Sequence, residues 1–324
     1  MSYNRKVAEN KIIDACRQLV NKGLIARTWG NVSARISDNT FLITPSGKGY
    51  HNMTGEDLVE VSINNLATIG KGTPSSEKGI HAIAYSLRKD VDFIVHTHQC
   101  FASCISILPK SYNNIIPCAD YGLNASQTLI DAIGRSLREN VDSNGFLMSN
   151  HGAFCLGRTD EEAFLVSMEL EDKSRRLYGS LTCKTPEFHI DEQYITTLEE
   201  SNGLYLYNSP LAMDVSKWKE EVFPYLDDFA QFAGLSMKTY ESLQDINLPE
   251  MNSNNLPIRE CAILSNKGIV CHADSDDINA LSIVIEKQCI AACLSNALGD
   301  ISPILPHNVM TDREHYVLSY SKLK

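Results

Sequence analysis

The sequence lacks dense runs of lysine and arginine, and its formal net charge is −11. A protein that binds the nucleic-acid backbone regardless of sequence needs the opposite charge balance. The sequence also lacks any run of 18 or more apolar residues, which would predict a membrane-spanning helix. We therefore expect neither nucleic acid nor a membrane among the partners of this chain.

No Cys-x-x-Cys pair is present, although the chain contains ten cysteines. The first residues contain no apolar signal core. Cysteines scattered through apolar segments, without an export signal, are typical of reduced, buried thiols, so we expect a cytoplasmic protein. What the chain does have is 43% hydrophobic and 21% charged residues, a composition typical of a globular protein with its own core.

Strand patterns and helix patterns alternate along the first part of the chain. Apolar positions between residues 5 and 22 have helical spacing, and Gly23 follows them as a stop signal. Residues 31–36 and 40–44 are strand-like and are separated by a turn. The alternation predicts an α/β or α+β fold with layers of helix, sheet and helix.

A repeated pattern appears late in the chain. Residues 147–155 (LMSNHGAFC) align with residues 263–271 (ILSNKGIVC), and each segment leads into an apolar-periodic helix. The repeat predicts that residues 205–324 are a diverged, partial copy of the second half of a first domain formed by residues 1–204. Chance similarity between two strand–turn–strand–helix segments is the alternative.

His96 and His98 are the most specific local feature of the sequence. Residues two apart in a strand point to the same face, so both imidazoles can reach one metal ion. His151 follows a strand and precedes a glycine, so it is either a third ligand or a turn histidine bonded to backbone. Glu77 is the candidate carboxylate, and its alternative role is a favourable interaction with a helix dipole. Three imidazoles and one carboxylate suit zinc, manganese or cobalt.

Three short loops carry hydroxyl groups, an amide or glycines that can hold an anion. They are Thr-Trp-Gly-Asn (28–31), Thr-Pro-Ser-Gly (44–47) and Ser-Ser (75–76). The last pair also lies at a predicted helix start, where free backbone N–H groups favour phosphate. Each loop alone is equally consistent with an ordinary turn.

Taken in order, these motifs resemble the class II aldolase/adducin family, and fuculose-phosphate-type aldolases in particular. The ordered set is Thr-Trp-Gly-Asn-Val-Ser (28–33), Thr-Pro-Ser-Gly (44–47), Ser-Ser-Glu (75–77), His-Thr-His (96–98), Ile-Pro-Cys-Ala (116–119) and Asn-His-Gly (150–152). The resemblance implies a three-layer domain with a mainly antiparallel central sheet. It also implies a homo-oligomer, usually a tetramer, with its sites at subunit boundaries.

The resemblance also implies a role for each matching residue. The implied ligands of a divalent metal, usually zinc, are Glu77, His96, His98 and His151. The implied phosphate pocket consists of Gly30, Asn31, Ser46, Gly47, Ser75 and Ser76. Glu77 also matches the residue that leaves the metal to act as a base. The implied reaction cleaves a ketose phosphate into dihydroxyacetone phosphate and an aldehyde through an enediolate.

Tyr121 is the candidate acid for the aldehyde oxygen. It ends the segment 116–121, which resembles the part of fuculose-phosphate aldolases where a tyrosine reaches a neighbouring subunit's site; a packing tyrosine is the alternative. His81 lies one helical turn after Glu77, so it either supports that carboxylate or packs the helix. Four further tyrosines compete for a C-terminal role, namely Tyr205, Tyr207, Tyr316 and Tyr320.

Two other functions compete with the aldolase interpretation. Residues 28–33 resemble ribulose-phosphate 4-epimerases more closely, but residues 108–114 lack the aspartate of that group, and Ser-Ser-Glu favours an aldolase. An adducin-like binding protein is expected to have lost the metal ligands, and all four are present. In the second copy Lys267 stands at the position of the third histidine, so we expect residues 205–324 to be catalytically silent and to serve assembly or site covering.

Overall fold

The computed structural model of the protein describes residues 2–25, 29–184, 186–188, 192–199, 203–274 and 277–319. Thr28, Tyr320 and residues 275–276 of the predicted repeat lie outside this set. The chain divides into two compact units, the first ending at Arg175 and the second beginning at Arg176.

An eight-stranded sheet forms the centre of the first unit. Its strands are β1 (Asn31–Arg35), β2 (Thr40–Ile43), β3 (Val59–Ser62), β4 (Thr68–Ile69), β5 (Phe93–Thr97), β6 (Cys118–Ala119), β7 (Gly145–Met148) and β8 (Gly152–Gly157). They lie in the order β4-β3-β2-β1-β5-β8-β7-β6. All neighbours are antiparallel except β6 and β7, which are parallel. The predicted, mainly antiparallel central sheet is confirmed.

Helices cover both faces of this sheet. They are α1 (Arg5–Asn21), α2 (Lys78–Leu87), α3 (Cys100–Ile105), α4 (Gln127–Glu139) and α5 (Asp160–Thr182). Apolar side chains of α2 and α4 join one buried cluster with the sheet, to which β5 contributes Ile94. Because strand side chains alternate, Phe93 and Val95 are buried on the opposite face, where α1 and α3 pack. The predicted helix–sheet–helix layering is confirmed.

The second unit contains a five-stranded sheet and a separate two-stranded one. Its strands are β9 (Ile195–Glu199), β10 (Leu204–Tyr207), β11 (Lys238–Tyr240), β12 (Glu250–Met251), β13 (Pro257–Arg259), β14 (Cys261–Leu264) and β15 (Gly268–His272). Its helices are α6 (Pro210–Val215), α7 (Asp227–Ala233), α8 (Ile278–Leu298) and α9 (Pro306–Leu318). The larger sheet has the order β11-β14-β15-β10-β9.

This larger sheet has the same topology as five strands of the first unit. Its spatial order, read as β9-β10-β15-β14-β11, matches the order β1-β5-β8-β7-β6 in the first unit. The strand directions also agree: β11 is parallel to β14, as β6 is to β7, and the other neighbours are antiparallel. The agreement supports the interpretation of the second unit as a partial copy, which we retain as a proposal.

The two hairpins that carry the repeated sequence share their backbone contacts. Asn150 and Asn266 have positive φ angles of 61° and 57° in the turns. The Asn150 N–H donates to the Ser106 carbonyl at 3.3 Å, and the Asn266 N–H donates to the Ser216 carbonyl at 3.0 Å. Each of these serines is the C-cap of the preceding short helix, α3 or α6. The two hairpins are therefore anchored in the same way.

The second unit begins before the boundary that the sequence predicts at residue 204. The Tyr178 hydroxyl, near the end of α5, donates to the Ile290 carbonyl of α8 at 3.1 Å. Strand β9 pairs with β10, although it precedes residue 205. The last turns of α5 and strand β9 therefore belong to the second unit.

Among the described helices, only α8 is long and apolar enough to span a membrane by length and composition. However, 83% of its apolar window is buried inside the protein, as expected for a core helix. All ten cysteines are free thiols and most of them are buried, as predicted. Cys118 and Cys293 are partly buried, and Cys183, which follows α5, is exposed.

Candidate metal centre

Four predicted ligands come together in the first unit. Glu77, His96, His98 and His151 each offer one ligand atom, and these atoms lie within 4.8 Å of one another. His96 is on β5 and His98 follows that strand, while His151 lies in the turn between β7 and β8. Since β5 pairs with β8, the turn histidine is brought to the end of β5.

The imidazoles face each other through their Nε2 atoms. His96 Nε2 lies 3.1 Å from His98 Nε2 and 3.1 Å from His151 Nε2. The Nδ1 atom of His96 lies 2.9 Å from the Ala153 carbonyl oxygen, which can only accept, so Nδ1 carries the proton and Nε2 presents a lone pair. Ligand nitrogens around a tetrahedral ion bound at normal lengths are about 3.3 Å apart. The donor set and its spacing fit a divalent metal.

Glu77 completes the cluster. Its Oε2 lies 3.2 Å from His96 Nε2 and its Oε1 lies 3.2 Å from His151 Nε2. Burial raises the pKa of Glu77, but attraction to His96 and His151 outweighs burial, and the pKa lies well below its ordinary value. Glu77 is therefore a carboxylate, the form that binds a divalent cation.

The local structure explains why Glu77 is available as a ligand. It is the N-cap residue of α2, but its side chain makes no capping hydrogen bond. The sequence predicts Ser75 or Ser76 as the cap of this helix, but α2 begins at Lys78 and is preceded by a turn in which the Lys78 N–H donates to the Ser75 carbonyl at 3.1 Å. The side chain of Glu77 is left to face the imidazoles.

The predicted anion loops after β2 and before α2 lie side by side. The Ser46 N–H donates to the Thr73 carbonyl at 3.0 Å, and the Ser75 N–H donates to the Thr44 carbonyl at 3.0 Å. The Ser75 Oγ accepts from the Glu77 N–H at 3.3 Å, which links these loops to the metal centre. Gly47, in the first loop, has a φ of 72°. The structure thus brings Ser46 and Gly47 beside Ser75 and Ser76.

Gly30 and Asn31 border the same region at the start of β1. Gly30 has a φ of 93°, and a Cβ there would lie 2.5 Å from the carbonyl oxygen of His96. This position therefore requires glycine for the close approach of the chain to β5. Asn31 is 2% exposed, and its side chain bonds Glu77.

Tyr121 is not part of this cluster of ligand atoms. It follows the edge strand β6, and β7 and β8 separate β6 from β5 in the sheet. Its hydroxyl oxygen is buried. Among the C-terminal tyrosines, Tyr207 donates to the buried Glu286 at 3.0 Å inside the second unit. The role of Tyr121 as an acid remains a prediction.

Residues 10–178 match the family described as the Class II Aldolase and Adducin N-terminal domain. The chain belongs to the class II aldolase and adducin family. As a class II aldolase it is an aldehyde-lyase of a family that depends on a divalent metal, and the four-residue cluster has a donor set that fits such an ion. The match ends within α5, so it covers the first unit and little beyond it.

Known class II aldolases are similar to this chain over about half of its length. An L-fuculose phosphate aldolase from Haemophilus influenzae is 33% identical over 179 residues, 52% of this chain and 81% of that protein. A 5-methylthioribulose-1-phosphate/5-deoxyribulose-1-phosphate aldolase from Escherichia coli is 35% identical over 177 residues, 51% of this chain and 80% of that protein. Both of these relatives are aldolases of sugar phosphates.

A solved structure shares the fold. YgbL of Klebsiella pneumoniae, described as an aldolase/epimerase/decarboxylase, superimposes with a TM-score of 0.50 at 20% identity. The superposition covers 59% of this class II aldolase and 97% of YgbL.

Proposed function

We propose that this class II aldolase cleaves a ketose phosphate into dihydroxyacetone phosphate and an aldehyde. The observation that carries the proposal is the convergence of Glu77 with three Nε2 atoms, directly beside the loops predicted to hold phosphate. The similarity to aldolases of fuculose phosphate and of ribulose 1-phosphate derivatives supports the same substrate class.

The chemistry follows from the placement of the groups. When bound, a divalent ion, which we propose to be zinc, acts as a Lewis acid on the oxygens of the substrate. The backbone N–H groups and hydroxyls at Ser46, Gly47, Ser75 and Ser76 hold the phosphate. In the synthetic direction, Glu77 takes the proton from the carbon that then bonds the aldehyde carbon. Tyr121 gives a proton to the aldehyde oxygen, and cleavage reverses both transfers.

The first test is cleavage of a panel of ketose 1-phosphates by the full chain. We expect release of dihydroxyacetone phosphate with zinc, manganese or cobalt, and no release after a chelator has removed the metal. The matched control is the same ketose without its phosphate, which we expect to be a poor substrate because the phosphate loops remain empty. Tightly bound metal without cleavage of any sugar would instead favour a 4-epimerase reaction on the same site.

Replacing Tyr121 by phenylalanine tests the proposed acid. We expect the cleavage kcat to fall by about 10²-fold, since the aldehyde oxygen loses its proton partner. Metal content, measured by elemental analysis, is expected to stay unchanged. Tyr240→Phe, in β11 of the second unit, serves as the control and keeps full activity.

A mixing experiment separates a role in a neighbouring subunit from a role in packing. Chains with Tyr121→Phe are co-assembled with chains that carry His96→Ala. If Tyr121 serves a partner's site, mixed oligomers recover part of the activity that both parents lack. Full activity of Tyr121→Phe alone would contradict the proposed role.

The proposal assigns no chemistry to the second unit. Strand register places Leu206 and Asn208 at the positions of His96 and His98, while Lys267 takes the place of His151. We propose that residues 205–324 form a non-catalytic region that serves assembly or covers the site. We further propose that the enzyme is a cytoplasmic homo-oligomer, with a tetramer as the favoured state.

A further inference from the structure

A chain of buried hydrogen bonds runs from the metal centre into the core. Asn31 Nδ2 donates to Glu77 Oε2 at 2.9 Å, and Asn31 Oδ1 lies 2.5 Å from His81 Nε2. His81 Nδ1 lies 2.6 Å from the Ser33 Oγ, which is 2.8 Å from the Tyr85 hydroxyl. This Glu77–Tyr85 relay consists of Glu77, Asn31, His81, Ser33 and Tyr85.

Backbone periodicity builds the relay. Asn31 and Ser33 are two apart on β1, so both face α2. Glu77, His81 and Tyr85 are spaced by four at the start of α2 and along it, so they lie on one side of the helix. Successive hydrogen bonds of the relay therefore pass back and forth between β1 and α2. The side chains of His81 and Ser33 have no exposed surface.

The ionised carboxylate sets the direction of every bond. Glu77 can only accept, so Asn31 must turn its amide nitrogen toward it and leave its oxygen to accept from His81 Nε2–H. The second ring nitrogen of His81 then accepts from Ser33, whose oxygen accepts from Tyr85. The opposite direction would place the Asn31 oxygen against the carboxylate.

The state of the histidine agrees with this direction. Burial lowers the pKa of His81 to about 3, so its ring is neutral. A neutral imidazole has one N–H group and one acceptor nitrogen, as the relay requires. Phe41 stacks on the ring with centroids 6.4 Å apart, and Phe154 approaches at 5.4 Å, so the ring is held in place.

We propose that His81 is a positioning residue that acts through Asn31 to fix the carboxylate of Glu77 at the metal centre. The N–H of His81 holds the Asn31 amide in one of its two nearly isosteric orientations, and this orientation presents a donor to Oε2. The inference rests on the proposed function in one respect, because it takes Glu77 to be the residue that moves the substrate proton.

A matched pair of substitutions isolates the N–H group. Glutamine at position 81 can place an amide N–H near the site of Nε2, whereas methionine has a similar length and no donor. Relative to wild type, we expect His81→Met to weaken Co²⁺ binding about 10- to 100-fold and to shift the visible absorption of bound Co²⁺. We expect His81→Gln to keep most of the wild-type Co²⁺ affinity and absorption. We expect substitution of the exposed His51 by glutamine to change neither the affinity nor the absorption.

Kinetics supply a second readout on the same proteins. We expect His81→Met to lower the cleavage kcat by about 10- to 100-fold with little change in KM, because the phosphate-holding loops at Ser46–Gly47 and Ser75–Ser76 are untouched. If wild type cleaves no sugar phosphate, the Co²⁺ spectra and affinities still test the relay. Equal losses in the methionine and glutamine variants, or wild-type spectra in both, would overturn the proposal.

Folding is monitored in parallel by urea denaturation. If His81→Met does not fold, Ser33→Ala takes its place, because it removes the hydrogen-bond partner of His81 Nδ1 and deletes only one oxygen. We expect this variant to shift the Co²⁺ absorption in the same direction. An unchanged Co²⁺ spectrum and affinity in Ser33→Ala would then count against the relay.

Discussion

Replacing Glu77 by glutamine is expected to abolish cleavage while leaving the three imidazoles in place. The amide has the shape of the carboxylate but cannot accept the proton from carbon, so kcat is expected to fall by about 10²- to 10⁴-fold. The substitution also disturbs the contact with Asn31, whose Nδ2 donates to Glu77 Oε2 at 2.9 Å. Depending on the orientation of the new amide, Nδ2 would face either its oxygen or its NH₂ group. The measurement is single-turnover release of dihydroxyacetone phosphate at saturating metal.

Two controls make this result specific to the base. Glu139→Gln, on the exposed side of α4, should retain wild-type rates. Co²⁺ should still bind to Glu77→Gln, since three protein ligands are sufficient for a catalytic divalent site. Cleavage within tenfold of wild type would contradict the assignment of Glu77 as the base.

Replacing His151 by lysine is expected to remove the metal. The substitution copies the residue at the equivalent hairpin position of the second unit, Lys267. A protonated lysine has no lone pair for a metal, and its charge would pair with Glu77 in place of the cation. Loss of a residue that only hydrogen-bonds to a metal ligand costs about 10- to 100-fold in metal affinity. Loss of the ligand itself is therefore expected to lower the metal affinity by more than about 100-fold. Competition against a chromogenic chelator measures the affinity.

The reciprocal change in the second unit is the matched control. Lys267→His restores an imidazole, but Leu206 offers no ligand atom at the position of His96, and Asn208 replaces His98. We therefore expect no second metal equivalent and unchanged activity. Two metal ions per chain in Lys267→His would show that the second unit retains a latent site.

The three candidate histidine ligands could be predicted from sequence because each is tied to a local pattern. His96 and His98 have strand spacing after an apolar run, and His151 lies in a turn with an identifiable counterpart in the repeat. Glu77 could be named only through the family resemblance, since its position at a helix start has an ordinary explanation. What decides its role is the direction of its side chain, which only the structure shows.

Other parts of the fold differ in how strong their local signal is. Helix α4 lies outside the elements predicted above, although its buried Leu129, Ile133 and Leu137 recur every four residues. Strands β4 and β6 have two residues each, so their pairing depends on neighbouring strands rather than on their own sequence. The links between Asn31, His81 and Ser33 join two elements that lie far apart in sequence, and no single motif encodes them.

The shared topology of the two sheets has a consequence for how the enzyme acquires its metal. The second unit keeps the hairpin turn, with Asn266 in the left-handed region and Gly268 behind it, although a lysine stands at the ligand position. Turn geometry and the bond to the preceding helix, rather than metal coordination, therefore maintain this backbone. By the same reasoning, the hairpin that carries His151 needs no bound metal to hold its turn, and removal of the metal is expected to leave this backbone in place.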